Sequence, residues 1–239
     1  TAKSVSATTL ASMLFLNRRT HFVAQPLPAE AQFAPAFSVN VGDCDADGHE
    51  DLFLSQNFFA LRPEVPRLDG GRGLWLRGDG HGQLTAVPGQ VSGVAVYGEQ
   101  RGAALGDFNR DGRVDLAVTQ NGGPTRLFLN TAPRRGLSVR LEGPRGNPMA
   151  IGARMRLWHG TTPGPIREVR AGSGYWSQDA ATQVMGSSEP PTSIEVFWPG
   201  GKAVRFPLDA ETSECVIPIE GTLRVAQVLT APPTRAPKR

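Results

Sequence analysis

Asp43, Asp45, Asp47 and Asp51 stand at positions 1, 3, 5 and 9 of one loop, and Asp107, Asn109, Asp111 and Asp115 stand at the same positions of another, 64 residues further on. Oxygen side chains at alternate positions can curl around one hard cation. Gly48 and Gly112 at position 6 permit the sharp turn, and the position-7 carbonyls of His49 and Arg113 would each add an oxygen. Roughly six to eight oxygens in a flexible arrangement is calcium's preference. Two calcium sites are therefore expected, one per loop, with His49 and Arg113 taking part through the backbone. Asn109 removes one negative charge, so the second site is expected to be weaker. The alternative is an Asp/Gly turn held by its own side-chain–backbone hydrogen bonds; recurrence in matching contexts favours the cation. An EF-hand is excluded. Its bidentate Glu at position 12 is replaced by Leu54 and Val118, and the flanks read as strands, not helices.

Other reactive residue types offer less. Gly172-Ser173-Gly174 suggests a nucleophile, but the elbow pattern needs glycine two residues either side of the serine; Ala171 and Tyr175 stand there. His21, His49, His81 and His159 show no ligand spacing, and Asp79 with His81 is at most a weak metal pair. An enzyme would want a carboxylate pair. Glu168, Glu195 and Asp179 are available, with no spacing that joins them. Tyr175-Trp176 reads either as core or as an exposed pair suited to a sugar face. Cys44 and Cys215, 171 residues apart, fit one bridge or two separate thiols. Cys44 at loop position 2 is no ligand, because thiolate suits calcium poorly. No catalytic residue is expected.

The elements that must carry these loops form a repeat. Residues 41–54, VGDCDADGHEDLFL, align with residues 105–118, LGDFNRDGRVDLAV. A second element recurs three times: Leu14-Phe15-Leu16-Asn17, Leu74-Trp75-Leu76-Arg77 and Leu127-Phe128-Leu129-Asn130. Its distance from the loop implies an insertion of about 11 residues in the first copy, between Phe58 and Gly73. Strands such as Leu52-Phe53-Leu54 are apolar at successive positions, so both faces are expected to be covered, as in stacked propeller blades. No amphipathic helical period runs beyond two turns. From Leu137 onward alternating strands replace the acidic loops, and a small antiparallel sandwich or barrel is expected.

The pattern G-D-x-[DN]-x-D-G-x-x-D-L, present twice, resembles the FG-GAP or VCBS repeat of integrin-type calcium-binding propellers, over roughly residues 10–131. The resemblance implies that the four side chains of each loop are ligands. A propeller has about four to eight blades, and two blades leave apolar faces to be covered by missing N-terminal blades, by the rest of the chain or by a protein partner. In the second half, Ala150 to Arg154, Arg167 to Gln178 and Ile194 to Gly201 resemble the ASPIC/UnbV domain, which commonly follows VCBS repeats in secreted proteins, including the cartilage acidic protein family. The family's stretch with a His and an F-G-x-G-like segment is replaced here by Asp179 to Gly186, so nothing tied to that stretch carries over. No catalytic residues are implied.

Composition sets the bounds. The net charge of +3, from 25 basic and 22 acidic residues, is too balanced for a nucleic-acid binder. No apolar run reaches the roughly 18 residues of a membrane span. Gly and Pro make up 48 residues, a turn-rich balance that favours short strands. The chain begins with Thr, which reads as a processed chain or a piece of a longer one. The expectation is an all-β chain divided into a repeat region over 1–133, an ASPIC/UnbV-like β-domain over 134–230 and a Pro/basic tail over 231–239. Its expected role is a non-catalytic, calcium-stabilised interaction, adhesion or scaffold module outside the cytoplasm. The alternatives are an accessory subunit of a membrane-associated complex, or a carbohydrate-binding or carbohydrate-active protein.

Overall fold

Strands with both faces apolar need a neighbour on each side, and the fold supplies one. The computed structural model describes residues 4–201 and 203–228; the tail expected over 231–239 lies outside them. The chain is mostly β. A hairpin of β1 (Met13–Asn17) and β2 (Phe22–Pro26) comes first. A four-stranded antiparallel sheet follows, with β3 (Ala36–Gly42), β4 (Asp51–Gln56), β5 (Leu74–Gly78) and β6 (Leu84–Val87) side by side in chain order. One helical turn, α1 (Gly89–Ser92), leads to a three-stranded sheet of β7 (Glu99–Gly106), β8 (Asp115–Asn121) and β9 (Gly123–Phe128). The acidic loops join β3 to β4 and β7 to β8.

The remaining strands are β10 (Leu137–Glu142), β11 (Arg154–His159), β12 (Thr162–Pro163), β13 (Arg167–Glu168), β14 (Gln183–Met185), β15 (Ser193–Phe197), β16 (Ala203–Pro207), β17 (Thr212–Pro218) and β18 (Arg224–Val228). They form two sheets, ordered β14-β10-β17-β18 and β12-β11-β15-β16, with β13 also paired to β11. The two share a core of Val139, Leu141, Met155, Ile194, Val196 and Ile217, all almost fully buried. This half was expected to be purely antiparallel, and it is not: β10 and β17 run parallel, Val139 opposite Cys215. Parallel neighbours need a long crossover, and the chain between them supplies it as the whole of the other sheet rather than as a helix.

The four larger sheets are arranged like the blades of a four-bladed propeller. Phe53 of the first packs with Leu105, Leu116 and Val118 of the second; Val184 of the third joins that cluster; the third and fourth share their core. Arg167 of the fourth closes the circle on Glu50, beside the first acidic loop, with Nε–Oε1 2.8 Å. The faces that two blades alone would leave open are thus covered by the second half. β4 shows why Leu52-Phe53-Leu54 is apolar at successive positions: Phe53 enters the cluster with the second sheet, and Leu54 the cluster of Ala31, Leu74 and Leu76 on the other side.

The insertion lies where the sequence puts it, between β4 and β5, pinned by a bridge between Phe58 and Leu68. The leucine-based alignment of the second element is out by one. Leu52 pairs with Leu76, whereas its equivalent Leu116 pairs with Phe128. Gly78, not Arg77, therefore matches Asn130.

Candidate metal centres

The two acidic loops are the same object built twice. At position 1, Asp43 accepts the N–H groups of Asp47 (3.0 Å) and Gly48 (2.9 Å), and Asp107 those of Asp111 (2.9 Å) and Gly112 (2.8 Å). At position 5, Asp47 accepts the N–H of His49, and Asp111 that of Arg113. At position 9, Asp51 bridges the Cys44 and Gly78 N–H groups at 2.9 Å each, as Asp115 bridges Phe108 (2.9 Å) and Asn130 (2.7 Å). Position 4 is left-handed in both, at Ala46 (φ +55°) and Arg110 (φ +58°), as is the position-6 glycine. Position 9 thus ties the first loop to the third strand of its sheet, and the second loop to the residues just after the third strand of its own.

Asp43, Asp45 and Asp51 each bring a carboxylate oxygen within 4.8 Å of the others. Asp43 and Asp51 are buried, and Asp45 Oδ1 is buried with no hydrogen-bond partner. Burial pushes the Asp43 carboxyl up to about 6, against the lowering pull of Arg167 and the N–H groups of Gly48 and Asp47. Burial likewise raises Asp51 to about 6; its two N–H donors oppose this, while the charges of Asp45 and Asp43 add to it. Asp45 is raised by burial and by Asp47, with Arg77 opposing. Hard oxygens, crowded carboxylates and one orphaned buried oxygen fit a hard divalent cation such as calcium.

Asp47 stands outside this trio. Its Oδ1 serves the His49 N–H, and its Oδ2 faces Arg77, which also pairs with Asp45 at 2.7 Å. The His49 ring lies against Gly80. In the second loop, no comparable carboxylate trio forms among the described residues. Asn109 donates to Asp111 Oδ2 at 3.0 Å, and Arg113 holds the same oxygen at 2.9 Å while its Nε donates to the Ala132 carbonyl. Each loop thus has one arginine on its position-5 aspartate, drawn from different places in the sequence.

Reading the sequence missed Arg77, Arg167 and Gly186. Arg167, nearly buried, donates to Glu50 and to the Val184 carbonyl, and its guanidinium lies 3.9 Å from Asp43. A Cβ on Gly186 would sit 2.0 Å from Asp43 Oδ2 and 2.5 Å from the Ala46 backbone. No local signal marks these residues, because they reach the loop from distant parts of the chain: Arg77 on β5, Arg167 on β13 and Gly186 just after β14.

The remaining candidates are held separately. The Ser173 hydroxyl accepts the Asp179 N–H inside a turn closed by Ser177. Asp79 accepts the N–H groups of His81 and Gln83, a local turn. Asp179 accepts from Asn40 (2.9 Å) and from the Leu105 N–H (2.7 Å), joining the inner strands of the first two sheets. Glu195 accepts from Arg156 and Trp158; Glu168 faces Arg170. Both cysteines are free. Trp176 is 94 % exposed and stacks on Tyr175, with ring centroids 5.9 Å apart.

Comparison with known proteins gives two partial matches. Residues 143–217 match the family model described as ASPIC and UnbV. A stretch of 61 residues, 26 % of the chain, is 38 % identical to cartilage acidic protein 1 of Xenopus tropicalis, of which it covers 9 %.

Proposed function

We propose that the chain is a non-catalytic interaction module, stabilised by calcium and working outside the cytoplasm. The observation that carries this is the first loop: three aspartates with converging oxygens, one of them buried and unpartnered. Asp43, Asp45 and Asp51 would hold the ion, with Asp47 and the His49 carbonyl completing the set. The second loop, through Asp107, Asn109, Asp111, Asp115 and the Arg113 carbonyl, would hold a weaker one. A bound cation supplies positive charge where burial now disfavours the carboxylates. The protein's own groups do the rest: Asp51 fastens the loop to β5, and Arg167 fastens it to the fourth sheet. Extracellular modules bind calcium at about 0.1–1 mM, a range filled outside cells and empty in the cytosol. The test is calorimetry of the full chain with calcium, beside its melting temperature with and without EGTA. Binding and a higher melting temperature in calcium are expected. No heat at millimolar calcium would reduce the loops to ordinary turns.

A second reading, glycan binding, is favoured by the exposed Tyr175–Trp176 stack. It requires glycan-array signals that Trp176→Ala removes and Asp45→Ala leaves in place. An accessory role in a larger complex would use the open outer edge of β9.

A further inference from the structure

The internal repeat shows a position filled in one sheet and open in its sister. Leu76 and Phe128 are equivalent, since they pair with the equivalent residues Leu52 and Leu116. In the first sheet, β6 pairs with Trp75, Leu76, Arg77 and Gly78 along the far side of β5. Their equivalents are Leu127, Phe128, Leu129 and Asn130. β9 is the outer strand of its sheet, and among the described residues no strand pairs with its far side. β5 runs on to Gly78, whereas β9 stops at Phe128, although Asn130 is anchored to its position-9 aspartate just as Gly78 is. The difference is the fourth strand, which the second sheet lacks among the described residues. Leu127 and Leu129, beside this edge, are 56 % and 50 % exposed.

Beside this edge lies a groove of about 360 Å³, lined among others by Trp75, Val91, Leu105, Leu116, Phe128 and Leu129. It extends the buried cluster between the first two sheets, to which Phe128 belongs. The Trp75 indole N–H is buried with no hydrogen-bond partner. Unpaired edges are normally blunted or covered, and β9 combines an open edge, exposed leucines and an apolar groove.

We propose that the β9 edge docks an extended strand of another polypeptide, which completes the second sheet as β6 completes the first. The register follows from β6. The incoming residue opposite Phe128 takes the place of Ala86, and those opposite Leu127, Leu129 and Asn130 take the places of Val87, Thr85 and Leu84. Residues directly opposite share a face, so the positions equivalent to Ala86 and Leu84 enter the groove with Phe128. The partner is therefore a strand with small or branched apolar residues at alternate positions. Its backbone supplies the ladder and its carbonyls the acceptor type that Trp75 lacks, the recognition mode of strand addition. This rests on the interaction-module reading and is independent of its calcium component.

The experiment uses the full chain and a synthetic peptide with the β6 sequence, residues 82–88, GQLTAVP. Tryptophan emission follows the titration, with light scattering and calcium calorimetry on the same sample. Expected is saturable binding with a dissociation constant on the order of 1 mM or tighter. A peptide N-methylated at alternate amides, which keeps the side chains and removes ladder bonds, should bind at least tenfold more weakly. Equal binding of the N-methylated peptide, or no saturable response, would overturn the proposal. So would a chain that is already a dimer and must dissociate before the peptide binds, since a second copy would then hold the edge. Loss of the peptide response with calcium binding intact sinks the strand site alone.

Discussion

At the residue scale, Asp45 separates an ion site from a turn. Asp43 and Asp51 are fully engaged by backbone N–H groups, so replacing either would damage the loop whether or not an ion binds. Asp45 pairs with Arg77 at the surface, takes one further backbone N–H from Asp47, and keeps one oxygen without a partner. Asp45→Ala is expected to leave the melting temperature in EGTA nearly unchanged and to remove most of the rise that calcium gives at this site, measured by thermal melts in both buffers. Glu99 supplies a pH signature away from the acidic loops. Its burial would raise its carboxyl, but the Phe59 N–H, the Asn121 amide and Arg101 more than offset this and hold it at about 2. A carboxyl depressed from about 4.3 in the unfolded chain stabilises the fold above that pH, and the contribution is lost as pH falls toward 2. Glu99→Gln should cost about 2–3 kcal/mol at pH 7, and the cost should shrink in acid denaturant titrations near pH 3.

At the scale of elements, the first acidic loop is clamped between its own sheet and the fourth. Arg167→Met keeps the volume and leaves Glu50 without its buried partner. A loss of about 2–3 kcal/mol is expected by urea denaturation, because Glu50 and the Val184 carbonyl both lose their donor. A small surface-type change below about 0.5 kcal/mol would show the contact to be incidental. What the sequence disclosed at this scale follows from range. The order of the acidic side chains in each loop spans nine residues, so spacing alone showed that they gather in one turn, down to the glycine at position 6. The doubly apolar β4 announced its two neighbours. The one-residue slip between β5 and β9 was invisible because Leu-x-Leu alternation looks alike in either frame, and only the ladder to Leu52 and Leu116 distinguishes them. Arg77 and Arg167 were invisible because a long side chain arriving from another strand leaves no local pattern. The parallel pairing of β10 and β17 joins segments far apart in the chain, again without a local trace.

At the scale of the whole molecule, two repeats and two further sheets close a circle that the repeats alone leave open. The junction is polar as well as apolar. Asp179 ties β3 and β7 to the turn at Ser173, and Gly186 lets the chain pass against the first loop. Gly186→Ala should therefore disturb both halves together: the added Cβ meets backbone at Ala46 and a carboxylate oxygen of Asp43, neither of which can yield cheaply. A single melting transition shifted downward, with calcium affinity reduced, is the expected result in calorimetric scans; a change confined to one of two separate transitions would mean that the halves melt independently.

Ion sites and ordinary turns differ in whether the acidic loops bind calcium, and titration of the full chain with calcium by isothermal calorimetry separates the two. The outcome expected is saturable binding at or below about 1 mM, tighter at the loop of Asp43, Asp45 and Asp51 than at the loop carrying Asn109, with the tighter component absent in Asp45→Ala. No binding at millimolar calcium, or a binding curve that Asp45→Ala leaves unaltered, would contradict the ion-site reading.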